Sequence, residues 1–388
     1  MNLPDVNCFG VLTGLLGLCI FYSFLADQET LKYSQKPTIV GDSNQQEIEV
    51  FVYPDTVSND ALFLVKTQHD IPLHYFKNIT TEVCFDGECR LLTITVYWNI
   101  TGRYLGFELP IGEFLSKYEH EPFSNDEYER LNDLLADSNL PLGQISFEKL
   151  IKVPATMPDS VDGISGATTA SVAQMVVKGA AYSTYTLWNI VHGTTQDYVV
   201  RLTEEQLTPD LIDLILKSPD ISDRVWALKR IPHKTALNPK LTTALLDIIS
   251  GDDFFLSYSA INAIKVPHLH TAPLQDSLFS IYKEADHSIQ RMIVEKLMTA
   301  PYLSSIATSS SRKLLHKLNG KQLGEILKLY TKHSINDLET YKAVAGILKN
   351  ENSFISQQAY GFLKKSVVAD EGILRLLIKY EGGEERQD

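Results

Sequence analysis

Asp162, Ser165, Gly166, Ala167 and Thr168 stand in the order D-x-x-S-G-A-T within DGISGATTAS, residues 162–171. A threonine hydroxyl is a weak nucleophile, so chemistry at Thr168 needs an outside enzyme that can reach it across an uncrowded backbone. Gly166 and Ala167 leave that approach open, and the glycine relaxes the chain around it. Thr169 supplies a second hydroxyl next door. Beyond it Val172, Met175, Val176, Gly179, Ala180, Tyr182, Leu187 and Ile190 recur at helical spacing and predict a helix that starts just after the motif. A phosphate esterified to Thr168 would then sit by unpaired backbone N–H groups and the positive end of a helix dipole. A second reading fits the same residues: Thr168, Thr169 or Ser171 is simply the N-cap of that helix.

The D-x-x-S-G-A-T order resembles the flavin-attachment site of the FMN-binding domain family, found in the C subunit of sodium-pumping NADH:quinone oxidoreductase and the G subunit of Rnf complexes. The resemblance implies that a flavin transferase moves FMN from FAD onto Thr168 as a phosphodiester. By position, Asp162, Ser165, Gly166 and Ala167 would frame the acceptor for that transferase, with Thr169 as the alternative attachment point. GRYLGFEL, residues 102–109, is similar to the Gly-rich strands of the family, whereas the acidic stretch 117–143 has no counterpart in its pattern. An electron carrier or oxidoreductase subunit is implied rather than a free-standing catalyst, since the redox chemistry belongs to the flavin. Its partner would be a redox protein or a membrane electron-transfer complex.

Residues 9–26, FGVLTGLLGLCIFYSFLA, carry no charge and are long enough to cross a bilayer as a helix. MNLPDVN lacks the basic residues of a signal peptide, and Phe24 with Ala26 makes a poor cleavage site, so the segment reads as an uncleaved anchor. Family members also carry an N-terminal membrane helix. Cys84 and Cys89 flank Phe85-Asp86-Gly87-Glu88, and Asp-Gly is a two-residue hairpin turn signal. In that hairpin the two cysteines face each other in a non-hydrogen-bonded pair, where side chains lie closest. A cross-strand disulfide there implies an oxidising compartment; two reduced cysteines in a cytosolic hairpin are the alternative. The anchor has no basic flank to orient it by the positive-inside rule; with the disulfide, the expectation is the cell inner membrane with the soluble part on the extracytoplasmic, periplasmic side. Asn78-Ile-Thr and Asn99-Ile-Thr also match glycosylation sequons.

A formal net charge of −13 over 388 residues, with no Lys/Arg run, argues against nucleic acid as a partner. No G-x-S-x-G, H-E-x-x-H or P-loop supports a hydrolase. The histidines 233, 268, 270, 287, 316 and 333 are scattered without a metal-ligand spacing. Tyr182, Tyr185, Trp188 and His192 follow the motif and either stack on a flavin or fill the core at helical spacing. Tyr97 and Trp98 fall on opposite faces of a strand, so only one can address a given site. Glu119, Glu121, Asp126 and Glu127 read as a solvated face rather than an acid/base pair.

These residues need a scaffold. Residues 1–26 are the expected anchor and 27–48 a polar tether. Residues 49–195 form an α+β domain in which EIEVFVYP, ALFLVKT, TEVCF, ECRLLTITVYW and RYLGFEL are strands and Asn125 to Leu142 a solvent-facing helix. From 204 to 380 the strand signals give way to amphipathic helical hairpins. LIDLILKSPD, LLDIISGDDF and LFSIYKEADH begin 34 and 33 residues apart, and each is followed by a second helix expected to stop at Pro232, Pro267 or Pro301. After these the pattern blurs and resumes at Ile326. Self-similarity at this period resembles a HEAT-like solenoid, whose stacked hairpins present an extended surface to a protein partner. An irregular helical bundle is the other reading. Residues 381–388 form a charged tail.

Overall fold

A computed structural model describes residues 30–41, 46–52, 61–83, 90–117, 120–146, 151–152, 167–168, 174–234 and 237–384. It divides into two compact units, Met1–Glu205 and Gln206–Asp388. The first is α+β and the second is helical. Segment 9–26, Cys84, Cys89, Asp162, Ser165, Gly166 and Thr169 lie outside the described residues. Among the described residues no helix is long and apolar enough to cross a membrane.

In the first unit six strands make one antiparallel sheet: β1 (Leu31–Ser34), β2 (Gln46–Val52), β3 (Ala61–Thr67), β4 (Pro72–Thr81), β5 (Leu92–Asn99) and β6 (Tyr104–Leu109), in the order β1-β6-β5-β4-β3-β2. Residues 27–48, expected as a tether, thus contribute β1 and the start of β2. Gly106 (φ +148°) is what lets β1 dock: a Cβ there would collide with the Tyr33 carbonyl of its partner strand. The strand expected at TEVCF overlaps β4 only at Thr81; residues 72–80 were missed because Lys77 interrupts the apolar alternation by falling on the buried side, 0% exposed. That inner face, with Leu64, Tyr75, Ile79, Val96, Trp98 and Phe107, is buried under α1 (Asn125–Ala136), α2 (Ala181–Val191) and α3 (Thr194–Glu205). Trp98 Nε1 donates to Val191 O (2.8 Å), and the Tyr75 hydroxyl meets Thr203 Oγ1 (3.3 Å). The first helix stops at Ala136 instead of Leu142, and it buries Tyr128, Leu131, Leu134 and Leu135, so it is not merely solvent-facing.

In the second unit the helices fall into two rows. One holds α4 (Pro209–Leu216), α6 (Pro239–Ile249), α8 (Ala272–Glu284), α10 (Ser305–Leu314), α12 (Leu338–Ile347) and α14 (Glu371–Glu384). The other holds α5 (Ile221–Lys234), α7 (Phe254–Ala263), α9 (His287–Leu297), α11 (Gly320–Lys332) and α13 (Ser353–Lys365), whose first residues step by 33. Neighbours within each row touch. Ala227, Ala260, Ile293, Ile326 and Ala359 keep the same step along the second row, and all are 0% exposed. The caps repeat too: Asp220, Asp253, Asp286, Asn319 and Asn352 each accept a first-turn backbone N–H. The prolines do not stop the helices as expected. Pro232 lies inside α5, and Pro267 and Pro301 lie after α7 and α9 have already ended.

Candidate functional site

Of the residues singled out by the motif, Ala167 and Thr168 are described. They form a two-residue strand, β8, paired antiparallel with β7 (Ile151–Lys152) in the register Ile151 opposite Thr168 and Lys152 opposite Ala167. GQISFEKLIKV therefore runs into the partner strand of the motif. The ladder holds the Thr168 backbone extended.

The next described stretch, Gln174 to Ala180, is turn rather than helix, and the helix expected right after the motif begins only at Ala181. Two local features explain the delay. Gly179 takes φ +78°, a conformation a helix does not use, and Thr184 Oγ1 accepts the Val177 N–H (3.1 Å) while donating to Ala180 O (2.9 Å). Helix α2 has Ala180 as its N-cap, with no side-chain cap. Thr168 therefore does not cap it, and its dipole does not start at Thr168; Thr169 and Ser171, the other expected caps, lie outside the described residues. The expectation that the helix, with its positive dipole end, begins directly after Thr168 is corrected.

The turn is tied to the scaffold on both sides. Arg130 of α1 donates to Gln174 O, and Val176 and Val177 are buried. Ser183 Oγ donates to Val83 O (2.9 Å), fixing the start of α2 to the chain just beyond β4. Strands β4 and β5 pair with Thr81 opposite Leu92, the register that a Cys84–Cys89 pairing requires. Arg130 carried no signal in the sequence beyond its place in an acidic helix.

The aromatic candidates divide. Trp188 is 7% exposed, donates from Nε1 to Asp137 O (3.0 Å) and packs on His192 at 4.4 Å. His192 Nε2 meets Leu135 O (2.9 Å), and burial holds its imidazole below the usual pKa despite that contact. Both knit α1 to α2. Tyr182 and Tyr185 remain half-buried on the same helix. Trp98 is fully buried, whereas Tyr97 on the opposite face donates to Glu108 Oε2 (3.0 Å). Glu127 closes a capping box with Ser124 and pairs with Lys117 (2.9 Å), which also reaches Glu121 (3.1 Å). Asn99 of the second sequon is 0% exposed; its side chain donates to Thr101 Oγ1 (2.9 Å) and accepts from Thr38 N (3.1 Å), so no glycan reaches it in the folded chain. Among the described residues no three His, Cys, Asp or Glu are grouped to hold a metal.

No protein-family model, no curated protein and no solved structure matches this chain. The fold defines its class only broadly: an antiparallel sheet packed by helices, followed by two rows of helices.

Proposed function

We propose that this protein is a membrane-anchored, extracytoplasmic electron-transfer flavoprotein carrying FMN esterified through its phosphate to Thr168, with a HEAT-like helical solenoid that docks a protein partner. The observation that carries the reading is the complete D-x-x-S-G-A-T spelling at Asp162, Ser165, Gly166, Ala167 and Thr168. Its setting supports it: Thr168 stands in a short ladder and does not cap the helix that begins at Ala181. In the attachment step the Thr168 hydroxyl loses its proton, its oxygen bonds to the FMN phosphorus of FAD, and AMP leaves. The bound flavin supplies the electron-accepting and electron-donating chemistry. The chain holds the attachment strand by its pairing with Ile151–Lys152, and Arg130 and Ser183 anchor the segment that follows. The apolar segment 9–26 serves as the inner-membrane anchor, with the soluble units on the periplasmic side. The constant 33-residue step and the two-row stacking support the solenoid reading of the second unit.

Intact mass of the exported protein, co-expressed with a flavin transferase, tests the proposal. The native chain should gain about 438 Da, FMN less water, while Thr168→Ala gains nothing and Thr169→Ala keeps the addition. An unmodified native chain, or a gain that survives Thr168→Ala, overturns the assignment.

A further inference from the structure

One seam of the helical unit differs from its neighbours. Helix α7, FFLSYSAINA, is apolar on both sides: Leu256, Ala260, Ile261 and Ala263 are buried, while Phe254, Phe255 and Tyr258 are 43%, 75% and 50% exposed. The exposed rings gather, with Phe254 5.8 Å from Phe255 and 6.4 Å from Tyr258. Along the row, the position of Tyr258 is held by Val225, Arg291, Gly324 and Gln357, and that of Phe255 by Ser222, Ser288, Lys321 and Phe354. A helix apolar all round belongs in an interior, and clustered rings left in water mark a surface that another molecule covers.

Beside those rings a groove of about 590 Å³ runs between α7 and α9, lined by Phe254, Tyr258, Asn262, Arg291, Met292 and Lys296 among others. Two further seams of the same row close themselves. Between α9 and α11, Gln322 Nε2 donates to Gln290 Oε1 (2.6 Å) and meets His287 Nδ1 (3.0 Å). Between α11 and α13, Phe354 lies over Gly320, and Gln358 Nε2 donates to Gly320 O (2.7 Å). At the α7–α9 seam the cross-link is Lys296 Nζ to Ile264 O (2.8 Å), at one end.

That end is positively charged in a chain of net charge −13. Lys265 lies near enough to Lys296 to hold its ammonium, already disfavoured by burial, below the usual lysine range. Neither lysine makes an ion pair with a carboxylate among the described residues, whereas Arg291 is matched by Glu295 at 2.9 Å. Unneutralised cations beside an aromatic surface select an occupant with the opposite charge and a large apolar group.

We propose that the α7–α9 groove receives a linear peptide segment of a partner protein, seating an aromatic or large aliphatic residue against Phe254, Tyr258 and Met292 and an Asp or Glu against Lys265 and Lys296. The proposal rests on the helical unit being a docking module and is independent of flavin at Thr168.

Selection of a phage-displayed random 12-residue peptide library on the purified full chain tests it. Enriched peptides should pair an aromatic or large aliphatic residue with Asp or Glu. As synthetic peptides they should lose at least about tenfold in affinity for Tyr258→Ser and for Lys296→Gln, each the size of a hot-spot truncation. Phe354→Ser, in another seam, should leave affinity unchanged. Lys265→Glu with Lys296→Glu should turn the selection toward basic peptides. Unchanged thermal melts of the variants separate lost contact from lost fold. Enriched peptides indifferent to all these changes would leave a docking module and overturn the groove. No enrichment at all would overturn both. Self-association of the native chain that Tyr258→Ser abolishes in sedimentation would instead assign the groove to a second copy and overturn the peptide.

Discussion

His74 stands in β4 on the outer face of the sheet, its ring 6.0 Å from that of Tyr97. Burial and then the Lys32 charge lower its pKa from 6.5 to about 4. The Lys32 ammonium is fixed there by Glu108 (3.0 Å) and lies 5.1 Å over the Tyr97 ring. Because the folded imidazole binds its proton more weakly than the unfolded one, the unfolded state takes up more protons between pH 6.5 and 4. Stability therefore falls as the pH drops through that window and levels off below it. The full shift corresponds to at most about 3 kcal/mol, less what partial exposure screens away. Urea midpoints at pH 7 and pH 4.5 measure this: His74→Gln should lose less stability on acidification than the native chain. An equal loss in both would remove His74 as the cause. The same scale shows what a sequence conceals. Asn99 spells a sequon, yet it is the buried last residue of β5, clasping Thr38 and Thr101, and only the fold of the chain onto itself reveals that.

At the scale of elements, the second unit was legible where its helices are aliphatic and opaque where they are not. Ile212, Leu245, Leu278 and Val344 mark one inward position at the 33-residue step, and between them stands Ser311. It is buried at 1% exposure with its hydroxyl 2.7 Å from that of Tyr330, so polarity is satisfied inside and the hydropathy pattern breaks without a break in the fold. That one helix, SIATSSSRKL, hid the fourth hairpin and made ILKLYTKHSI look like a fresh start, although it belongs to α11 in the second row. The surer sequence signal was polar: Asp220, Asp253, Asp286, Asn319 and Asn352 recur at a constant step because every second-row helix needs its first N–H groups satisfied. The helix expected after the motif failed for a converse reason, since apolar spacing through residues 172–180 does not reveal Gly179 in a left-handed turn. Asp253→Ala and Asn319→Ala should each cost about 1 kcal/mol, the usual worth of an N-cap side chain, while Ser259→Ala on the exposed side of α7 should cost far less. Chemical denaturation of the second unit reads the difference.

At the scale of the whole molecule, the chain joins a unit built on one antiparallel sheet, closed by the long-range pairing of β1 with β6, to a unit built on contacts between neighbouring helices. The division falls at Glu205, after α3, because Val199, Leu202 and Thr203 of that helix are buried within the first unit. The second unit begins with its own start signal, Thr208 accepting the Leu211 N–H ahead of Pro209. Its first helix also holds Asp213 at 2% exposure between Lys217 (2.8 Å) and Lys240 (3.1 Å), a clamp from α4 to α6. Those lysines keep the carboxyl below its usual pKa against the opposing effect of burial. The clamp's contribution is thus present above the unfolded carboxylate pKa and fades as the pH falls through the lower folded value. Each unit therefore carries its own core and its own end, and a chain of residues 206–388 should fold alone. Circular dichroism should give a helical spectrum and a cooperative melt. An unfolded spectrum would show instead that the sheet unit is needed to nucleate the rows. The complementary chain ending at Glu205, expressed with the transferase, should carry the whole flavin mass, and the helical chain none. Such a partition would separate electron transfer from partner docking within one polypeptide. Flavin acceptance that requires residues beyond 205 would make the helical unit part of the transferase's recognition surface.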